Sequence, residues 1–256
     1  PDGGGRITPV AVAAALQPDT RLVSIMHANN EIGTIQDLKS IEKICAENDA
    51  YLHSDTVQTI GHYPFQLSES KIHFLSGSAH KFHGPKGAGF LYMNGDAIVE
   101  PLIDGGAQER NMRAGTENVY GILGMAKAMD LAYQRLDHSK KRILKIRSKL
   151  KQGLLDLIPD IHFNGAQEDD FLFTVLSVQF PKRIASDMLL MNLDVRGIAA
   201  SGGSACSSGA DQGSHVIKAI KPDDEGTSVR FSFSAMNTPE EIDYTLEVVK
   251  QIANGA

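Results

Sequence analysis

The chain has 256 residues, 42 % of them apolar, two cysteines and a formal net charge of −6. That length suits one large domain or two smaller ones; two cysteines make no disulfide framework, and the acidic balance argues against nucleic acid as a direct ligand. No apolar run approaches the roughly 18–20 residues that cross a bilayer, and no apolar stretch follows a basic start, so no membrane span, no signal peptide and a reducing, cytoplasmic setting are expected.

In chain order, residues 1–6 read as a turn, 9–16 as a helix and 21–26 as a buried strand. Residues 38–47 carry apolar side chains at 38, 41, 44 and 45, which predicts a helix. Strands are predicted at 51–54, 72–76 and 87–93. This alternation implies a mainly parallel α/β sheet, in which ligands sit at the carboxyl ends of strands. Asn29–Glu31, Asp55–Gln58 and Ser78–Lys81 each follow such an end, so three polar clusters are expected at one edge. Residues 119–157 read as one long helical stretch, with seven basic residues between Lys140 and Lys151 that read as a solvated face. After Pro159 come predicted strands at 171–180 and 229–233, a helix at 186–193, and a final helix opened by Thr238-Pro-Glu-Glu241. The reading is an α/β domain over 1–135 and a smaller α+β domain over 136–256 that includes the long connecting helix.

Four side chains carry candidate chemistry. Lys81 stands between His80 and His83 in a glycine-rich stretch; it reads as a nucleophilic amine, as a solvated surface lysine, or as a phosphate contact outside the P-loop spacing. Asp55, at a strand end, reads as a helix cap or as the partner of a protonated pyridine nitrogen, with Gln58 one turn on. Cys206 lies in a loop of small polar residues and glycines that suits a thiolate meeting a substrate, and no CxxC or histidine beside it suggests a metal ligand; no metal is expected. Cys45, by contrast, reads as core. Arg230, on a strand, is either a fork for a substrate carboxylate or a surface ion pair.

Met26-His-Ala-Asn-Asn-Glu-Ile-Gly33, His53-Ser-Asp-Thr-Val-Gln58, Ser76-Gly-Ser-Ala-His-Lys81, Arg113-Ala-Gly-Thr116 and Ser204-Ala-Cys-Ser together resemble, in order, the motifs of class V aminotransferase-like enzymes of the NifS/IscS cysteine desulfurase type. The resemblance runs from about residue 1 to 252. It implies an incomplete large domain of the mainly parallel, seven-stranded pyridoxal phosphate (PLP) transferase type, followed by a smaller α+β domain. It also implies that Lys81 bonds covalently to PLP, that Asp55 pairs with the ring nitrogen and that Gln58 and Asn30 sit near the ring oxygen. Ser78 and His80 would contact the phosphate, and His80 would stand with Lys81 and Cys206 among the catalytic residues. Thr116 would reach the phosphate in the other subunit of a homodimer. Asn30 and Arg230 would bind the carboxylate of L-cysteine, and Cys206 would carry the persulfide left when L-alanine forms. The acceptor would be an iron–sulfur scaffold or a tRNA-thiolation protein.

The family also carries an N-terminal stretch on the order of 100 residues, a small domain's worth. It holds a Gly-Thr-Glu phosphate turn and a histidine that stacks on the ring. Without that stretch, or a separate segment supplying it, the chain is expected not to be a full desulfurase. Thr56 and Ser234 replace the alanine and glycine common in relatives. Two other readings stay open: another PLP lyase or transaminase on this scaffold, such as a selenocysteine lyase, and a non-catalytic scaffold that binds a partner.

Overall fold

The computed structural model describes residues 1–184, 188–202, 214–221 and 226–255. Two compact units emerge. One, the sheet unit, comprises Pro9–His27 and Asp37–Leu136; the other, the C-terminal unit, gathers Pro1–Thr8, Ala28–Gln36 and Asp137–Ala256.

In the sheet unit, α1 (Pro9–Ala15) and α2 (Leu38–Glu47) accompany strands β1 (Leu22–Met26), β2 (Tyr51–Asp55), β3 (Phe74–Ser78) and β4 (Gly89–Met93). The strands lie in the order β1-β2-β3-β4. The first three are parallel and β4 runs antiparallel to β3. Helix α2 forms because Asp37 caps it, accepting from the Ser40 amide at 3.1 Å, and because Leu38, Ile41 and Cys45 make one buried stripe. Cys45 is free and buried, and burial pushes its thiol pKa up. It is a core residue.

Strand β3 begins two residues later than the sequence predicts and ends two residues later. At its start, the Ile72 amide turns to Ser70 Oγ. At its end, Gly77 and Ser78 stay in the ladder opposite Phe90 and Gly89. A Cβ on Gly77 would lie 2.3 Å from the Phe90 ring, so glycine is what lets that ring cross the strand. Strand β4 starts at Gly89 and not 87, because Gly87 takes a left-handed turn at φ 77°.

The long helical stretch is two helices, α3 (Val119–Gln134) and α4 (Leu136–Leu157), separated where Arg135 leaves helical geometry at φ −105°, ψ 6°. Neither glycine nor proline marks that break. Helix α4 buries Ile143, Ile146, Leu150 and Leu154 in the C-terminal unit. There, β5 (His162–Phe163), β6 (Val175–Phe180) and β7 (Thr227–Ser232) form an antiparallel sheet in that order. Strand β6 starts at Val175, after the expected 171, because the Val175 amide closes a turn onto the Leu172 carbonyl and Phe171 instead bridges to Thr34. Helices α5 (Leu189–Asp194), α6 (His215–Ile220) and α7 (Pro239–Ala253) complete the unit. Residues 186 and 187, the start of the expected 186–193 helix, lie outside the described residues. The α7 start is the full capping box the sequence announced: Thr238 accepts from Glu241, and Glu241 accepts from Thr238.

The basic run on α4 is not uniformly solvated. Arg147 is 5 % exposed, donates through Nε to the Val175 carbonyl at 2.9 Å and lies 4.2 Å from the Phe171 ring centroid. Its side chain therefore joins α4 to the start of β6. Arg147→Ala leaves that carbonyl unpaired and opens a void, and is expected to cost about 2–3 kcal/mol. A urea unfolding midpoint unchanged from the parent would contradict this.

Candidate active site

The first three strands end at one edge. The parallel register sets Met26 beside Asp55 and Asp55 beside Ser76. Side chains alternate across a strand, so Ser24, His53, Asp55, Ser76 and Ser78 share one face of the sheet. Leu52, Ser54 and Leu75 point to the other face and are buried. On the shared face, His53 links three strands: Nδ1 is 2.7 Å from Ser24 Oγ and Nε2 is 3.2 Å from Ser76 Oγ. Asp55 closes β2. Its Oδ1 accepts from the Val57 amide at 2.9 Å, and the carboxylate stays exposed. The chain then turns through residues 56–62, placing Gln58 half-buried just beyond it.

Lys81 is positioned by its neighbours. It sits on a one-turn 3₁₀ segment, Ala79–Phe82, that follows Ser78. Ala79 and Phe82 are buried at 0 % and 2 % exposure, while His80 and Lys81 are exposed. Phe82 packs with Ile60, Ala79 and Ala88, against Met125, Met129 and Ala132 of α3. Gly61 makes room for it: at φ 81°, a Cβ there would stand 2.7 Å from Phe82 Cβ. Buried anchors on both sides thus turn the two central side chains outward. The Gly84 amide closes on the Ala79 carbonyl, and His83 ends the turn in left-handed geometry at φ 65°. Ser78 Oγ lies 2.8 Å from His80 Nδ1, and the Lys81 carbonyl accepts from His62 Nε2 at 3.3 Å. Burial lowers the His62 pKa.

Asn30 and Arg230 belong to the C-terminal unit. Residues 28–35 form a tight hairpin-like loop with an Ala28–Ile35 bridge. Asn29 Oδ1 accepts from the amides of Glu31 (2.8 Å) and Ile32 (3.0 Å), and Gly33 takes φ 76°. Asn30 offers its carbonyl to Arg230 Nη1 at 2.8 Å. Arg230 is thus held by a main-chain carbonyl. Its Nε is buried without a hydrogen-bond partner among the described residues. Of the three expected clusters, the structure brings Asp55 and Ser78–Lys81 to one edge and groups Asn30 with Arg230. Thr116 is exposed, in the loop before α3. Cys206 lies outside the described residues. Among the described residues, no cluster of three or more His, Cys, Asp or Glu side chains could hold a metal ion, and no helix is long and apolar enough to cross a membrane.

Residues 1–245 match the aminotransferase class-V family model. The chain belongs to the class V aminotransferase family. This family depends on PLP. The chain is 46 % identical, over 98 % of its length, to cysteine desulfurase IscS of Methanosarcina thermophila, and 42 % identical over 98 % to the enzyme of the same name from Dictyoglomus turgidum. It covers 62 % and 64 % of those relatives, so it spans less than two thirds of their length. Among solved structures it is similar to a NifS-like protein with TM-score 0.89 and 38 % identity, covering 100 % of this chain and 67 % of that one. It is also similar to a NifS-like protein from Rickettsia africae with TM-score 0.85 and 28 % identity, covering 99 % and 68 %. The class V fold and the resemblance to the NifS/IscS group read from the motifs are both borne out.

Sequence reasoning gave no part to His27, which lies between β1 and the Asn29 loop. Its amide donates to the Asp55 carbonyl at 2.8 Å, and its Nδ1 is 2.9 Å from Thr59 Oγ1. Its ring meets Tyr63 and Phe65 edge-on. Burial pushes its pKa down from 6.5 to about 4. It is therefore neutral above about pH 5, and it braces the carbonyl of the residue that carries the site carboxylate. Only the three-dimensional packing of Tyr63 and Phe65 reveals this. The unfolded chain takes the proton first as pH falls. The stability His27 contributes is thus complete above 6.5 and is lost as pH falls towards 4. His27→Gln is expected to flatten the pH dependence of stability in that window, checked by urea unfolding at pH 7 and pH 4.5. Equal pH dependence in variant and parent would contradict the assignment.

Proposed function

We propose that this chain supplies the lysine–aspartate floor and the carboxylate site of a PLP-dependent cysteine desulfurase. The observation that carries the reading is the shared edge of β2 and β3: adjacent parallel strands bring an exposed carboxylate, a hydroxyl–imidazole pair and an outward lysine together in one unit. That donor set fits a pyridine ring bearing an anionic group. Asp55 is suited to a protonated ring nitrogen, Gln58 to the ring oxygen, Ser78 and His80 to a phosphate, and Lys81 to a carbonyl carbon. Relatives named cysteine desulfurase support the choice of L-cysteine as substrate.

When bound, PLP supplies an electron sink that makes the substrate Cα–H acidic. In this reading Arg230 and Asn30 orient the substrate carboxylate, and Lys81 Nζ takes and returns the Cα proton. The Cys206 thiol receives the sulfur. The C–S bond of L-cysteine breaks, an S–S bond forms, and the substrate carbon gains the proton, so that enzyme thiol and L-cysteine become enzyme persulfide and L-alanine. The persulfide passes to an iron–sulfur scaffold or a tRNA-thiolation factor. The enzyme acts as a cytoplasmic homodimer to which Thr116 contributes across the subunits, with functional domains at 1–135 and 136–256.

The test separates proton transfer from sulfur transfer in the complete, PLP-loaded polypeptide. Lys81→Ala is expected to lower L-alanine formation by about 10³-fold or more. Cys206→Ala is expected to abolish protein-bound persulfide and L-cysteine turnover. A Cys206→Ala enzyme that still turns over L-cysteine at the parent rate would overturn the desulfurase reading in favour of another PLP lyase.

A further inference from the structure

Glu31 has no part in the chemistry above, yet among the described residues it is the one carboxylate taken into the interior. It is 3 % exposed. Burying a carboxylate is costly unless it is compensated, so its surroundings need an account. Two groups of the same unit supply one. Ser214 Oγ donates to Glu31 Oε2 at 2.5 Å, and the same Ser214 oxygen caps α6 by accepting from the amides of Val216 and Ile217 at 3.1 Å each. The other group is Arg230. Its guanidinium is held by the carbonyl of Asn30, the residue next to Glu31. Desolvation weakens the charged form of Arg230, and the negative charge of Glu31 favours it. The loop that carries both is fixed by the Asn29 side chain through the Glu31 and Ile32 amides. Glu31 is also in place to oppose any anion brought to Arg230.

We propose that Glu31 is a positioning residue that sets how tightly the Arg230 site holds a substrate carboxylate, with Ser214 holding one of its oxygens. The inference rests on the reading of Arg230 as the carboxylate site. The negative charge of Glu31 favours the guanidinium cation and so competes with an incoming carboxylate for it. A carboxylate ligand is then oriented but not retained, which suits a site that must release L-alanine after each cycle. Ser214 limits how far that competition goes. Without its hydroxyl, the carboxylate loses the hydrogen bond that fixes it and is free to turn its charge towards the guanidinium.

The probe is L-alanine, with its dissociation constant measured by calorimetry on the complete, PLP-loaded polypeptide. Glu31→Gln keeps an acceptor for Ser214 and removes the charge, so the constant is expected to fall about fivefold. Ser214→Ala is expected to raise it by about the same factor. The double variant is expected to bind as Glu31→Gln does, because the effect of Ser214 passes through the carboxylate. If the double variant stays as weak as Ser214→Ala, the loss comes from the α6 cap, and the proposal is wrong. It is equally wrong if Glu31→Gln weakens binding or leaves it unchanged while Arg230→Ala weakens it tenfold or more. Should Arg230→Ala leave the constant at its parent value, the carboxylate-site reading itself falls, and the role of Glu31 falls with it.

Discussion

The parallel register of β1, β2 and β3 is the constraint on which the sheet unit's chemistry depends. Met26, Asp55 and Ser76 stand side by side. A one-residue slip of β2 would send Asp55 to the apolar face and bring Leu52 out. Burial prevents the slip: Leu52, Ser54 and Leu75 are wholly enclosed, and the His53 ring fastens the opposite face to both neighbouring strands. Hydrophobic burial on one face and a polar tie on the other therefore determine where one carboxylate stands.

The same logic operates one turn later. The order Ala-His-Lys-Phe reads buried, exposed, exposed, buried. The apolar ends are held by α3 and by the β2–β3 connection, so the turn that carries Lys81 is fixed and its side chain faces outward. In the C-terminal unit a different device does comparable work. The Asn29 side chain closes a turn whose next carbonyl holds Arg230, and whose next carboxylate is drawn inside. Both units thus present reactive groups from short, backbone-tied turns at the ends of rigid elements, an arrangement that costs little ordering when a ligand arrives.

Much of this was legible in the sequence. Helix α2 was readable nearly to the residue from its periodic apolar stripe, and the start of α7 from the cap at Thr238. Lys81 and Asp55 stood out because few residue combinations at strand ends suit a pyridine cofactor. Other features were hidden for physical reasons. Gly77 and Ser78 have low strand propensity yet pair with Phe90 and Gly89 of β4, and Gly77 leaves room for the Phe90 ring. Arg135 breaks a helix with no breaker residue. Arg147 looks like one more solvated cation until Phe171, distant in sequence, is placed beneath it. Glu31 and His27 are likewise ordinary in sequence and acquire meaning only from partners brought by folding, Ser214 and Arg230 for one, Tyr63 and Phe65 for the other.

The central claim is that the β2–β3 edge directs one particular lysine at the cofactor. The most direct measurement is borohydride reduction of the complete polypeptide loaded with PLP, followed by peptide mapping. The account predicts that the reduced phosphopyridoxyl group is found on Lys81. Its recovery on another lysine, such as the nearby Lys86, or a failure of Lys81→Ala to change the labelling pattern, would contradict it.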